Sequence, residues 1–232
     1  MAPIAAPGIG HVILGYGFGA QPLSKRSKRK AVLPAAVVPD WARRPAPPEA
    51  RPPRPLAPSA IAIDDEPAPP PTDAMRAAAR RGTLIHHLLE RLVAVDPSRR
   101  RDAAIHWLAR SAGVDNEAMR AELAGQVCGI LSDAKFSPLF GPSSLGEAPL
   151  AATLPDGRVI AGTVDRLLVE EGQVSVIDFK TGRVPATDSD ILAMHRAQME
   201  AYAEALRVIF PGRNVRAALL YTAAPKLIEL MA

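Results

Sequence analysis

Residues 162–182 read G-T-V-D-R-L-L-V-E-E-G-Q-V-S-V-I-D-F-K-T-G, and this stretch decides the fold. Two runs rich in Val, Ile and Leu predict strands from 159 to 169 and from 173 to 180. Glu-Gly at 171–172 supplies the turn between them. The second run is apolar on both faces until its last residues, which is typical of a central strand. The sequence therefore predicts a β-hairpin at the centre of a sheet.

The charged residues of this hairpin form a pattern that suits metal chemistry. Side chains alternate along a strand, so Asp178 and Lys180 are expected on one face, and Asp165 on a face with Leu167 and Val169. A hairpin can bring Asp165 opposite Asp178. Paired carboxylates suit a divalent cation, and an adjacent lysine suits a polarised water or a developing negative charge. This set of residues is typical of a site that cuts phosphodiesters.

A simpler interpretation is a salt bridge, either between Asp178 and Lys180 or between Asp165 and Arg166. Surface ion pairs are common and contribute little to stability. Charges at the end of a buried strand, however, are costly unless they are paired or have a function. The position of these charges favours a functional site and leaves the salt bridge open.

Helical periodicity precedes the hairpin. From Ala74 to Val95 the spacing predicts a helix, and one apolar stripe of that helix is formed by Ile85, Leu88, Leu89 and Leu92. At roughly 100° per residue, His86 lies at the flank of this stripe and His87 on the opposite side. Gly82, one turn earlier, would allow another backbone or DNA to approach closely. His106 and His195 are expected on helix surfaces.

Further elements complete an order of helices, a strand hairpin, a helix and a return strand. Two helices are predicted at 99–112 and 116–136, the second capped by Asp115. A helix at 188–210 follows the hairpin, and a strand at 214–222 returns to the sheet. The inward stripe of the 188–210 helix is expected to hold Ile191, Met194, Gln198, Tyr202, Ala205 and Ile209. Glu147 is expected just before another strand.

Four motifs in this order resemble those of the RecB-like branch of the PD-(D/E)xK nuclease superfamily. They are Arg81-Gly82-Thr-Leu-Ile-His86-x-x-Leu-Glu90, Gly162-x-x-Asp165, Asp178-x-Lys180-Thr-Gly and Gln198-x-x-x-Tyr202. The resemblance spans roughly residues 80–222 and is closest to the C-terminal end of alphaproteobacterial AddA-type helicase–nuclease subunits, which act in double-strand break repair. It implies an α/β fold with a restriction-endonuclease-like core, in which helices flank a mixed central sheet.

The resemblance also implies the roles of individual residues. The implied ligands of Mg²⁺ or Mn²⁺ are His86, Asp165, Asp178 and the carbonyl of Phe179. The implied catalytic residues are Asp165, Asp178, Lys180, Gln198 and Tyr202. Lys180 would position the attacking water or stabilise charge on the phosphate, and Gln198 would contact Lys180 or the DNA strand. The roles of Glu90 and Glu147 stay open.

The resemblance implies that DNA, in single-stranded form, is the substrate. The implied partners are a helicase motor and a second, AddB-type nuclease subunit. Several relatives anchor an iron–sulfur cluster with four cysteines, but this chain has only Cys128 and cannot do so. No G-x-x-x-x-G-K-[S/T] phosphate loop is present, so no ATP site is expected in this chain.

The missing motor leaves three interpretations open. The chain is a working nuclease separated from its motor, or a nuclease-like module that binds DNA or a partner without cutting, or a non-functional fragment of a split helicase–nuclease gene. The intact Asp/Asp/Lys/Gln set favours the first interpretation. The expected function is therefore metal-dependent exonuclease activity on DNA.

Composition separates a tail from this domain. Of the 24 prolines, 13 fall between Pro34 and Pro71, so residues 1–72 are expected to be a disordered basic linker and 73–232 the nuclease domain. The net charge of +4 and the pI of about 9.5 slightly favour polyanionic partners. Much of that charge lies in the basic cluster at 24–30. No signal peptide or membrane span is expected, which predicts a cytoplasmic, nucleoid-associated protein.

Overall fold

The structure is a computed structural model that describes residues 39, 43–44, 55–58 and 70–230. The chain divides into two units, 1–50 and 51–232, and the described residues from 55 onward belong to the second unit. The basic cluster at 24–30 lies outside the described residues. Among the helices described, none is long and apolar enough to cross a membrane.

A five-stranded mixed sheet forms the centre of the second unit. Its strands are β1 (Ser144–Thr153), β2 (Val159–Val169), β3 (Gln173–Lys180), β4 (Asn214–Tyr221) and β5 (Lys226–Leu230). They are ordered 1-2-3-4-5, and every neighbouring pair is antiparallel except β3 and β4, which are parallel. The predicted hairpin is confirmed to the residue as β2 and β3. The predicted 214–222 strand is confirmed as β4, and β5 had no counterpart in the prediction.

Four α-helices cover the sheet. They are α1 (Asp73–Arg91), α2 (Arg100–Arg110), α3 (Glu117–Ser132) and α4 (Ala193–Ile209). The Thr72 hydroxyl caps α1 by accepting a hydrogen bond from the amide of Met75 at 3.2 Å. The cap predicted at Asp115 is wrong, because the side chain of Asn116 accepts the hydrogen bond from Met119 that closes the first turn of α3.

Two apolar clusters lie on opposite faces of the sheet. On one face, α1, α2 and α3 pack against residues such as Leu168, Ile177 and Leu220. On the other face, α4 packs against residues such as Val176 and Leu219. The stripe predicted on α1 is confirmed, since Ile85, Leu88, Leu89 and Leu92 are all buried. The α/β fold with helices flanking a mixed sheet is thus as expected.

The stripe predicted on α4 is only partly correct. Gln198, Tyr202 and Ala205 are buried as expected, but Met194 is 44% exposed and Ile209 is 38% exposed. These two residues lie in the first and last turns of the helix. The buried face is wider than one stripe, because Met199, Ala203 and Leu206 are fully buried as well. A helix that lies across a broad sheet buries two adjacent rows of side chains.

Two residues of the predicted tail, Leu56 and Pro58, lie against β2. The Leu56 amide donates to the carbonyl of Val159 at 2.7 Å, and the Ala161 amide donates to the carbonyl of Leu56 at 3.1 Å. This parallel bridge uses the edge of β2 that β1 does not occupy. Because β2 pairs with β3 only from Arg166 to Val169, no other described strand pairs with that edge. Pro58 is buried beside it.

Candidate active site

The alternation of side chains between the two faces of the sheet is interrupted at one position of β2. Val164 and Leu167 both belong to the cluster beneath α4, although regular alternation would place them on opposite faces. Leu168 packs in the cluster beneath α1 instead. The alternation therefore breaks between Val164 and Leu167. The side chain of Asp165, which simple alternation placed with Leu167, is directed towards α1.

Glu147 on β1 marks the same break. Gly146 pairs with Arg166 and Ala148 with Val164, so Glu147 lies opposite Asp165 in the register. Its φ of 46° makes it the one non-glycine residue with positive φ in the described part of the chain. Such backbone is sterically costly for a residue with a Cβ and is concentrated at functional sites. The distortion lets two carboxylates leave adjacent strands on the same side.

His86 on α1 completes a group of three potential metal ligands. One ligand atom each from His86, Glu147 and Asp165 lies within 4.8 Å of the others. His86 Nδ1 is 3.1 Å from Asp165 Oδ1, and the Phe179 amide donates to Asp165 Oδ2 at 2.5 Å. The Phe179 ring meets the imidazole edge to face, with centroids 5.6 Å apart. Phe179 thus fixes both the carboxylate and the imidazole.

A second group lies on the α4 side of β3. Lys180 Nζ is 2.7 Å from Asp178 Oδ2 and donates to Gln198 Oε1 at 2.9 Å. Gln198 Nε2 in turn donates to Asp178 Oδ1 at 3.0 Å. The three side chains close a ring of contacts, which confirms that Asp178 and Lys180 share a face. Asp178 is not in the group of three around His86.

One oxygen of Asp178 has no aligned hydrogen-bond partner. Oδ2 is buried, and the nearby ammonium of Lys180 forms an ion pair with it without the geometry of a hydrogen bond. Burial and the negative charge of Asp165 raise the pKa of Asp178, although Lys180 opposes this shift. A buried carboxylate oxygen that lacks a full set of hydrogen-bond donors is suited to bind a cation.

The charge of the carboxylates also affects His86. Burial of the ring lowers its pKa, but the hydrogen bond to Asp165 and the negative charges of Asp165, Asp178 and Glu147 outweigh burial and raise the pKa overall. Desolvation and the charges of Asp165 and Glu90 raise the pKa of Glu147. The site therefore has an excess of negative charge that a divalent cation would neutralise.

These groups open into a cleft of about 550 Å³ between α1 and the break in the sheet. It is lined by Ala79, Gly82, Thr83, His86, His87, Glu90, Glu147 and Asp165. The cleft gives a polar substrate access to the carboxylates and the imidazole. Lys180 and Gln198 lie on the other side of Asp178, towards α4.

The model of the PD-(D/E)XK nuclease superfamily matches residues 62–230. The chain belongs to this superfamily. A more specific similarity is to an ATP-dependent helicase/nuclease protein of Moorella thermoacetica, which is 38% identical over 73 residues. That match covers 32% of this chain and 5% of the relative, so the chain corresponds to a small part of that protein's length.

Among solved structures, the crystal structure of SSO0001 is similar over 64% of this chain and 75% of that one. The sequence identity is 18% and the TM-score is 0.29.

Within this PD-(D/E)XK domain, Tyr202 and Glu90 contact residues outside the implied ligand set. The Tyr202 hydroxyl donates to the carbonyl of Thr163 at 2.9 Å, so Tyr202 supports β2 from below. A carboxylate oxygen of Glu90, a residue whose role the sequence left open, lies 3.6 Å from His87 Nδ1. His87 is exposed and stacks edge to face on Trp107.

His195 is not the surface residue that periodicity indicated. It is half-buried, and its Nδ1 has no hydrogen-bond partner among the described residues. Burial and the nearby charge of Lys180 lower the pKa of His195 to about 4. The ring is therefore neutral at physiological pH. His106, by contrast, is exposed as predicted.

Arg166 has a role that sequence reasoning missed. It is only 3% exposed, and its Nη2 donates to the carbonyl of Leu89 on α1 at 3.0 Å. Its guanidinium lies 5.0 Å from the centre of the Phe140 ring. Arg166 thus joins β2 to α1 close to the site. It follows Asp165 directly on β2, and its acceptor, Leu89, lies about one helical turn after His86 on α1. The signal was an arginine in an apolar strand, which must find partners when buried.

Gly82 allows α1 to approach the loop after β3. A Cβ at this position would lie 2.9 Å from Thr181 Oγ1, which is closer than van der Waals contact. The sequence predicted a close approach here, and the partner is the threonine that follows Lys180. Contact between these residues sets the distance between His86 and the end of β3.

Gly82→Ala is expected to lower the activity of this site roughly tenfold. The added methyl group would push α1 away from Thr181 by roughly a few tenths of an ångström, which would move His86 relative to the end of β3. The double variant Gly82→Ala/Thr181→Ala removes the clash and should recover most of the loss. Steady-state DNA cleavage, with thermal unfolding as a check on folding, measures both. Equal losses in the single and double variants would contradict this explanation.

Proposed function

We propose that this chain is a metal-dependent DNA nuclease that removes nucleotides from the end of a single strand. The observation that carries the proposal is the arrangement at the break in the sheet. There, two carboxylates and an imidazole lie within 4.8 Å of one another, next to a buried Asp178–Lys180 pair. Hydrolysis of a phosphodiester needs an activated water and stabilisation of negative charge, and this donor set suits both.

The residues present fit a divalent cation such as Mg²⁺ or Mn²⁺. Asp165 and Glu147 supply carboxylate oxygens, and His86 supplies a ring nitrogen. Asp178 adds the buried oxygen that lacks an aligned donor, and the carbonyl of Phe179 is the remaining ligand of the proposal. A bound cation would act as a Lewis acid towards the phosphate and lower the pKa of a water. The addition of Glu147 extends the ligand set implied by the motifs.

Lys180 and Gln198 have a different task in this proposal. Lys180 has no acceptor atom and cannot be a ligand, but its ammonium can orient a water or stabilise charge that develops on the phosphate. The amide of Gln198 holds both partners, because its oxygen accepts from Lys180 and its nitrogen donates to Asp178. Gln198 therefore keeps the ammonium directed at the site. Tyr202, through Thr163, keeps β2 in place.

We further propose that the chain acts with a helicase motor and a second, AddB-type nuclease subunit in the repair of double-strand breaks. The similarity to the Moorella thermoacetica helicase/nuclease protein supports this assignment, although it covers 5% of that protein. A motor would deliver unwound single strands to the cleft along α1. No ATP hydrolysis is assigned to the described nuclease domain.

The test is cleavage of end-labelled single-stranded DNA by the full chain. With Mg²⁺ or Mn²⁺ the label should appear in short products, and EDTA should stop the reaction. Circular single-stranded DNA of the same length is the matched control, because an exonuclease leaves it intact. Intact linear DNA under every metal condition, from a folded sample, would favour a module that binds without cutting. Rapid loss of circles would contradict the exonuclease assignment.

A further inference from the structure

The segment Asp178–Lys180 is supported by a backbone ladder on one side only. β2 pairs with β3 as far as Arg166 and Ile177, and beyond that point the two strands are joined only through the Asp165 side chain. On the other side, β3 pairs with β4 as far as Lys180 and Tyr221. The backbone of Lys180 therefore depends on β4 for its position.

The last hydrogen bond of this ladder is made by Thr222. Its amide donates to the carbonyl of Lys180 at 2.8 Å, and its hydroxyl approaches the same carbonyl at 3.4 Å. Thr222 is completely buried, yet it lies one residue beyond the end of β4. Its own carbonyl needs a donor from outside the sheet, because a buried backbone group without a partner is destabilising.

Gln126 on α3 supplies that donor across 96 residues of sequence. Its Nε2 donates to the carbonyl of Thr222 at 2.8 Å. Its Oε1 accepts from Arg81 Nη2 at 2.8 Å. Arg81 also contacts the exposed carboxylate of Glu122 at 2.9 Å. Arg81 thus orients the Gln126 amide with its nitrogen towards Thr222, since a guanidinium can only donate.

We propose that Gln126 is a positioning residue for catalysis, which holds the backbone of Lys180 through the carbonyl and amide of Thr222. The inference rests on the proposed function and deepens it, because it names the group that fixes the ammonium relative to Asp178. Lys180 Nζ makes two contacts shorter than 3 Å, at 2.7 Å and 2.9 Å. A displacement of about 1 Å is enough to lower a rate by about 100-fold.

The inference predicts an effect on turnover that leaves binding unchanged. Gln126 touches none of the proposed ligands, and it lies outside the residues that line the cleft. Metal affinity and the KM for DNA should therefore stay close to those of the wild type when Gln126 is changed. A residue that only packed the core would lower stability and the amount of folded protein, without a selective loss in kcat.

Three variants of the full chain test this. Gln126→Met keeps the length of the side chain and removes both polar atoms. Gln126→Glu keeps the contact with Arg81 but replaces the donor to Thr222 by an acceptor. Glu122→Met is the matched control, because it removes the other partner of Arg81 and does not touch Thr222. Cleavage kinetics on single-stranded DNA and calorimetric Mn²⁺ binding are measured for each, with thermal unfolding as a folding check.

For both Gln126 variants we expect kcat to be lower by roughly 10- to 100-fold, as when a catalytic group is displaced by about 1 Å or less. KM and the affinity for Mn²⁺ should stay within about twofold of the wild type. Glu122→Met should match the wild type. If the wild type is active and Gln126→Glu keeps the full kcat, the positioning role of Gln126 is wrong and the proposed function stands. An inactive wild type would overturn both, and a loss in kcat matched by Glu122→Met would overturn the positioning role alone.

Discussion

Asp165→Ala, Asp178→Ala and Lys180→Ala are each expected to lower the rate of DNA cleavage by at least about 1,000-fold, since groups that act as a unit fail together. The reasons differ. Each aspartate variant removes one of the proposed carboxylate ligands, so the affinity for Mn²⁺ should fall with the activity. Lysine is not a ligand, so Lys180→Ala should lose activity with little loss of metal affinity.

Matched controls separate these effects from changes in net charge. Asp156→Ala and Lys226→Ala remove the same charges from exposed positions and should retain wild-type activity. Calorimetric titration with Mn²⁺ gives the affinities, and cleavage of single-stranded DNA gives the rates. If all three site variants lost metal affinity equally, the division between ligands and Lys180 would be wrong.

His86→Ala is expected to lower activity by at least roughly tenfold, whereas His87→Ala should barely change it. His86 contacts Asp165 at 3.1 Å, while His87 is exposed and its nearest acidic partner is Glu90 at 3.6 Å. The two residues are adjacent and of one type, so each is the control for the other. Both rings line the cleft, so a larger effect from His87→Ala would mean that His87, and not His86, carries the function.

The pH dependence of activity follows from the same imidazole. In the proposed site a proton and a cation compete for His86, and the neighbouring carboxylates raise its pKa above the ordinary value of 6.5. Activity should therefore fall as the pH drops through this raised pKa, and it should recover at higher Mn²⁺ concentration. His86→Ala should lose this limb of the profile. An unchanged limb would assign it to another group, such as Asp178.

Local sequence rules were sufficient for the four α-helices, for β2, β3 and β4, and for one half of the site. Apolar runs bounded by Glu-Gly at 171–172 define β2 and β3 to the residue. The two-residue period of a strand places Asp178 and Lys180 together. The stripe on α1 likewise makes His86 the more buried of the two adjacent histidines, although both line the cleft.

The other half of the site depends on contacts that no local pattern encodes. Glu147 was expected before a strand, but it lies inside β1 with a backbone conformation that a glutamate rarely adopts. The interrupted alternation of side chains at this position brings Glu147 and Asp165 together. A prediction from strict alternation could not include it. The hydrogen bond from Gln126 to Thr222 joins residues 96 positions apart, so it depends on the packed fold.

The short bridge at Leu56 has a consequence for any fragment that lacks the residues before α1. A fragment that began at α1 would expose the carbonyl of Val159 and the amide of Ala161, which are then free to pair with another molecule. In the intact chain Leu56 occupies both groups, and Pro55 and Pro58 on either side of the bridge lack an N–H with which to recruit a further strand. The bridge therefore protects the domain against self-association at the strand edge.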